Sequence, residues 1–464
     1  MLPDLGTVVH IGKLTDMKAA IFAILVFLIL PPAGLLSTEY HVNPLGDDAN
    51  PGTKEAPWRT IQKAAEVMIA GDSVRIATGV YRESVATVRG GNEKDGPIVF
   101  AASGGGPVVL DGSSAEAGTG FTIEHDHITL SGLEVRNWSE TGIWITGAAH
   151  TTIEDCEVHH IFYGIGVARG AHDFTLRKVR IHHFDLYGFD ASPSGGANCY
   201  NGTIEDCIAH TGRDPEQNVD GFALGHGKQH GFRFFRCETY DVFDGFDISS
   251  KDTILDKCSA HDCWNGGYKL WQDAIILTNC LAFDNRETNV ELDWDETPGT
   301  VTCVNCTFSG SGTFNVWVEN SADSLHMFNS ILAFGRNIGL AFEQPGIGNY
   351  IGDYNIFHNT NPDRAVVIAY EDELSLASVA SGEWTRKSGQ DRHSLIIGDP
   401  ETALFVDCEK HNFKLRRGSP AIDSGAVLNA PGDDFEGNAR PVGNGIDRGA
   451  YEWKPDIHPS GKED

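Results

Sequence analysis

Four side chains carry the chemistry this chain could perform: Asp220, Asp244, Asp247 and Lys269. They sit in three look-alike elements, Asp220-Gly221-Phe222, Asp244-Gly245-Phe246-Asp247 and Gly267-Tyr268-Lys269-Leu270. If each element is one strand of a parallel stack, neighbours lie roughly 4.8 Å apart and the three carboxylates share one place. They would repel one another without a cation. Calcium takes oxygen ligands in irregular geometry, whereas zinc prefers His and Cys, so an all-carboxylate cluster on an open ridge predicts Ca2+. Lys269 falls one strand beyond Asp247 on the same face. A cation beside one lysine is the equipment for β-elimination on a uronic acid polymer: the cation binds the C6 carboxylate and acidifies the C5 proton, the amine removes it, and the O4 bond leaves without water being added. A free lysine titrates near pH 10.4 and is mostly protonated at neutrality, so an alkaline optimum is expected. The same acids also read as a solvated turn ladder without function, in a chain that holds 65 Asp and Glu.

What must position these residues is a repeat. Six cysteines share one context, Cys156, Cys207, Cys237, Cys258, Cys280 and Cys306, with Gly132, Val179 and Ser330 assigned to the same slot. Steps of 21 to 30 residues, flanked by strand-like residues, mark a solenoid whose coils each supply several short strands. Three residues before each slot stands an apolar residue, such as Ile153, Ile204, Phe234, Leu255 and Leu277, as a half-buried strand requires. The cysteines therefore form an interior ladder, reduced and not bridged. A second strand recurs as Gly142-Ile143-Trp144-Ile145, Gly164-Ile165-Gly166-Val167, Gly188-Phe189-Asp190-Ala191, Gly221-Phe222-Ala223-Leu224, Gly245-Phe246-Asp247-Ile248 and Gly267-Tyr268-Lys269-Leu270, and continues through Glu291, Trp317 and Ala341. Its second and fourth positions face the core and its third points outward. The fold class is thus all-β, a right-handed parallel β-helix with an N-terminal capping helix and a non-repetitive C-terminal tail.

The helix is read over Pro57 to Ala70, where Ile61, Ala64, Ala65, Met68 and Ile69 fall at helical spacing, and a short one is expected around Glu373 to Val379. Residues 1–37 read as a signal-peptide region, with an apolar run from Ala19 to Leu30, a true start at Met17 and cleavage near Leu36 to Thr38. Residues 38–115 are the cap and first coils, 116–360 the β-helix with its catalytic groove, and 361–464 the last coils and tail. A secreted monomer without stable membrane insertion is expected. The formal net charge of −30 repels phosphate backbones, which argues against nucleic acid as a partner.

At Asn218-Val219-Asp220-Gly221-Phe222, Asp244-Gly245-Phe246-Asp247 and Asn265-Gly266-Gly267-Tyr268-Lys269-Leu270 the sequence resembles the calcium-dependent pectate lyases of the ninth polysaccharide lyase family. The resemblance covers the coils from about residue 120 to 340. It implies a pectin-lyase-like β-helix, calcium held by Asp220, Asp244 and Asp247, Lys269 as the catalytic base, and pectate or a similar acidic polysaccharide as substrate. One departure stands out. The family has two acids in succession before the second glycine, and here the first is Phe243.

Other candidates are weaker. Arg286 could hold a substrate carboxylate through its planar fork, with Arg213, Lys228 and Lys251 as comparable choices. Trp264 and Trp271 could stack on sugar rings, and equally well pack the turns. Glu291, one strand beyond Lys269, would favour the ammonium form and oppose the base role. His159, His182, His210 and His261 alternate with Tyr240 and Phe283, the pattern of a stacked turn ladder. Two other functions fit the same scaffold: a glycoside hydrolase using Asp244, Asp247 or Glu291 as paired acids, and a carbohydrate-binding protein without catalysis.

Overall fold

The computed structural model describes residues 37–114, 118–192, 197–225, 227–292, 298–319, 323–333, 338–343, 347–359, 364–398 and 404–455. The apolar run from Ala19 to Leu30, the start expected at Met17 and Leu36 of the expected cleavage region lie outside them.

Each coil begins with a strand of a thirteen-stranded ladder that runs from Glu39–Val42 to Tyr350–Asp353, in which the neighbours pair in parallel. One residue then turns the corner in the left-handed region: Asp155, Asp206, Arg236, Lys257, Asn279 and Asn305 have φ between 52° and 56°. Asp and Asn tolerate that conformation better than most residues, which is why the corners are rich in them. The next residue is the ladder slot, and its side chain enters the core. There the Sγ atoms of Cys237, Cys280 and Cys306 donate to carbonyls of the preceding coil, Ile204, Leu255 and Leu277, at 3.3, 3.3 and 3.5 Å. The described cysteines are unbridged, and those of the slot are buried. Burial pushes the Cys156 thiol up to about 12, so it is chemically inert. One slot assignment is corrected. Glu154 pairs with Ser131, so Gly132 is the corner residue, at φ 76°, and buried Leu133 occupies the slot.

About eleven turns of this kind stack into a parallel β-helix. The second positions of the recurring strand form an aromatic column inside it: Phe222, Phe246 and Tyr268 are fully buried, with centroids 5.1 and 5.0 Å apart and rings within 12° of parallel. Outside the corner, His159, His182, His210, Tyr240, His261 and Phe283 stack at 4.6–5.1 Å, the ladder that the sequence pattern predicts.

The capping helix spans Ile61–Val67, with Thr60 Oγ1 accepting from Lys63 N. It is shorter than the apolar spacing suggests, because Met68 already has extended ψ and the Asp72 carboxylate takes over the N–H of Ile69, which is left exposed. Near residue 373 the chain is a strand, Asp372–Ser375. The helix follows at Leu376–Ala380, started by the Ser375 hydroxyl on Ser378 N, and a second runs over Glu383–Ser388. The tail folds back as expected. Leu404, Phe405, Phe413, Leu415 and Tyr451 cover Leu281, Phe283, Ile331 and Ile356, and a fully buried Arg440–Glu452 pair at 2.7 Å reaches Asn279 through Arg440 Nη2. No helix among the described residues is long and apolar enough to cross a membrane.

Candidate functional site

The site is built on four consecutive parallel strands, Asp220–Leu224, Phe246–Ile248, Gly266–Leu270 and Thr288–Leu292. Alternation fixes which side chains face out: Phe222, Phe246, Tyr268 and Val290 fill the core with no exposure, so Ala223, Asp247, Lys269 and Glu291 share the opposite face, paired in that order across the sheet. The sequence reading made this an exposed column. Asp190, Ala223 and Glu291 are instead only 5–6% exposed, so the column is the floor of the face.

Asp220 and Asp244 occupy the neighbouring column, and the structure places both in the interior of the sheet edge. Asp220 Oδ1 accepts from Asp244 N at 3.3 Å and its Oδ2 from Asn218 Nδ2 at 3.0 Å. Asp244 Oδ1 repeats the device one coil on, accepting from Gly266 N and Asn265 Nδ2, both at 2.8 Å. Each carboxylate therefore ties its own coil to the next. The glycine at 266 leaves room for this: a Cβ there would stand 3.0 Å from Asp244 Oδ1. Asp220 carries the electrostatic cost. Burial, then the charges of Asp244 and Asp247, push its carboxyl well above the usual range. Tyr187, one coil before Asp220 in the same column, is pushed up to about 12 by burial and by Asp220, Asp190 and Asp247.

Lys269 Nζ lies 3.8 Å from Glu291 Oε1 and 4.7 Å over the Trp271 ring. The Trp271 indole N–H donates to Asp247 Oδ1 at 2.6 Å. Trp271 thus braces Asp247 and Lys269, a role that the sequence reading, which weighed sugar stacking against turn packing there, did not give it. The Asn side chains at 218 and 265 were quoted in the motifs without a role, and the signal for one was their place just before each acid or glycine. Trp264 donates to Asp241 at 3.2 Å.

Asp220, Asp244, Asp247 and Lys269 come together; Arg286 does not join them. It sits on an exposed turn held by its backbone N–H on Cys263 O, without an ion pair among the described residues. Arg213 pairs with Asp185, and Lys228 and Lys251 are exposed. Asp190 is buried and accepts from the Ser192 hydroxyl at 2.6 and 2.8 Å.

The donor set at Asp220, Asp244 and Asp247 is all carboxylate, and Asp220 is held in a place that disfavours its charge; both suit a hard cation in kind. In position they fall short of a ready cage. Among the described residues no three His, Cys, Asp or Glu side chains are arranged as a set that could hold a metal ion. Phe243, half-buried where a further acid was expected, adds no oxygen.

Residues 40–322 match the family described as "Pel9A-like, right handed beta helix region". Over 332 residues the chain is 28% identical to a pectate lyase L of Paenibacillus polymyxa (strain SC2), covering 65% of this chain and 68% of that one. It is 23% identical over 341 residues to a pectate lyase L of Dickeya chrysanthemi, covering 69% and 64%. The chain thus spans less than two thirds of the length of the second relative. Among solved structures it is similar to pectate lyase Pel9A, with a TM-score of 0.56 at 18% identity over 90% of this chain and 97% of that one.

Proposed function

Because the chain belongs to the Pel9A-like right-handed β-helix family, we propose that it is a polysaccharide lyase that cleaves a uronic acid polymer, pectate foremost, by β-elimination with Lys269 as base. The observation that carries this reading is the placement of Lys269 between Asp247 and Glu291 on successive strands of one face, with Asp220 and Asp244 alongside.

Lys269 Nζ takes the C5 proton of the sugar. It can do so only as the free amine, and Glu291 at 3.8 Å with the Trp271 ring at 4.7 Å both favour the ammonium form. The reaction is therefore expected to need alkaline conditions. Trp271 fixes the direction of Asp247 through its N–H, and the Tyr268 ring locked in the core stack sets the backbone from which Lys269 projects. Calcium, with Asp220, Asp244 and Asp247 as its holders, would supply charge neutralisation of the substrate carboxylate and of the buried acids. Arg286, on the turn before the Glu291 strand, is proposed to meet a more distant substrate carboxylate. Action on such a polymer implies export, supported by the apolar run from Ala19 to Leu30.

A second reading, binding without cleavage, is favoured by Phe243, which stands where the family has a further acid. One assay separates them: the ultraviolet absorbance of the unsaturated product on polygalacturonate at alkaline pH, with calcium or chelator, for the wild type and Lys269→Ala. Calcium-dependent signal lost in the variant supports the lyase. Folded protein that retains the polymer without signal overturns it.

A further inference from the structure

We infer that Trp144, Gly166 and Asp190 form a distal subsite for a pyranose that carries no charge at C6, on the same face as Lys269 and several strands before it. This rests on the reading above only in taking that face to bind a polysaccharide.

The three residues are in register. Trp144 pairs with Gly166, Gly166 with Asp190, Asp190 with Ala223, and the line continues through Asp247 to Lys269. From Gly166 to Lys269 there are four strand steps, ~19 Å at ~4.8 Å each. A Cβ on Gly166 would stand 2.3 Å from both Cε3 and Cζ3 of Trp144. The indole therefore lies down on the glycine, and only the missing side chain permits it. Trp144 stays half-exposed, whereas the phenylalanines of the second positions are buried in the core. A flat aromatic ring laid on a sheet offers the apolar C–H face of a sugar a place to stack.

The next strand supplies the polar partner. Asp190 is 6% exposed, both its oxygens engage the Ser192 hydroxyl, and no Lys or Arg pairs with it among the described residues. Its titration is raised to about 6 by burial, so under alkaline conditions it is an anion. A carboxylate beneath a sugar accepts from hydroxyls and repels a uronate. Tyr163 and half-buried Tyr187, with centroids 5.8 Å apart, flank the same strands. The centre near Lys269 and this place thus ask for different sugars: a uronate at the first, a neutral sugar or an esterified uronate at the second.

The test is binding without turnover, by calorimetry on Lys269→Ala with chelator present at pH 8, so that neither cleavage nor calcium enters. Probes are galacturonate heptamers, free or methyl-esterified, and a galactose heptamer. Uncharged probes are expected to bind more tightly than the free acid, the two uncharged probes telling a neutral sugar from an esterified one. Trp144→Ala is expected to weaken the uncharged probes ~10-fold while Trp144→Phe retains most affinity, and Asp190→Asn to raise the free acid ~10-fold. Unchanged binding of every probe in a folded Trp144→Ala, or no gain for the free acid in Asp190→Asn, overturns the subsite. Trp144-dependent binding with no lyase product would leave the subsite standing and remove the lyase reading; lyase activity with Trp144-independent binding would do the reverse.

Discussion

Replacing Glu291 by Gln probes the base most directly. The carboxylate stands 3.8 Å from Lys269 Nζ, with Glu291 side-chain exposure of 8% and Lys269 of 20%. Two unit charges about 4 Å apart interact by ~1 kcal/mol in water and ~4 kcal/mol at an effective dielectric of ~20. Partial exposure of the lysine and the loss of a hydrogen bond from Thr288 to Glu291 place the effect toward the lower figure. Since ~1.4 kcal/mol corresponds to one pH unit, the rising limb of the rate profile should move toward neutrality by about one unit, and the rate at pH 8 should increase severalfold. The assay is initial rate of unsaturated product against pH on polygalacturonate at saturating calcium, for wild type and variant of equal thermal midpoint. Glu291→Gln keeps the shape of the side chain and removes its charge, so the shift reports charge. A profile with unmoved limbs in a folded, active variant would refute Lys269 as the group that takes the proton.

Four further outcomes follow from the geometry. Lys269→Ala should abolish product formation while leaving the melting temperature within a few degrees, measured by product absorbance and calorimetry, because its ion pair with Glu291 is partly exposed and such pairs contribute little to stability. Phe243→Asp should tighten calcium binding, read by titration calorimetry, since its backbone bonds to Val219 O and from Asn265 N do not involve the side chain. Asp190 has a folded-state pKa raised from 3.8 to about 6. Its contribution is therefore fully present below about pH 4 and lost as pH rises through 6, so Asp190→Asn should stabilise the protein by about 2–3 kcal/mol at pH 8 and hardly at pH 4, by chemical denaturation. His210 is lowered to about 4 by burial, then by His182 and Arg180; its contribution is present above about pH 6.5 and lost as pH falls to 4. His210→Phe, which places in the ladder the residue type found at 283, should flatten the thermal midpoint across that window.

The sequence alone determined the solenoid, its period and the column that holds the acids and the lysine, because a parallel coil repeats the same burial demand every turn. An interior slot must be small and apolar and a corner must accept positive φ, so Cys207, Asp206 and their equivalents leave a periodic trace. Slot, corner and strand glycine could be told apart where the pattern was full. They slipped by one residue at Gly132, where glycine satisfies the corner and mimics the slot. The placement of Asp247 beside Lys269 was legible for the same reason: register in a coil follows from counting. The tertiary structure decided what counting cannot reach. Depth turned an outward column into a floor at Asp190 and Glu291, and let the Trp144 indole lie over Gly166. It also decided hydrogen bonding. Asp220 and Asp244 are engaged by the backbone of the next coil, and Trp271 reaches back across a strand to Asp247, partners separated by more than twenty residues whose meeting depends on rotamers and not on periodicity. Arg286 stands exposed on the turn before the Glu291 strand, and where a turn points follows from its local backbone and not from the period of the coil.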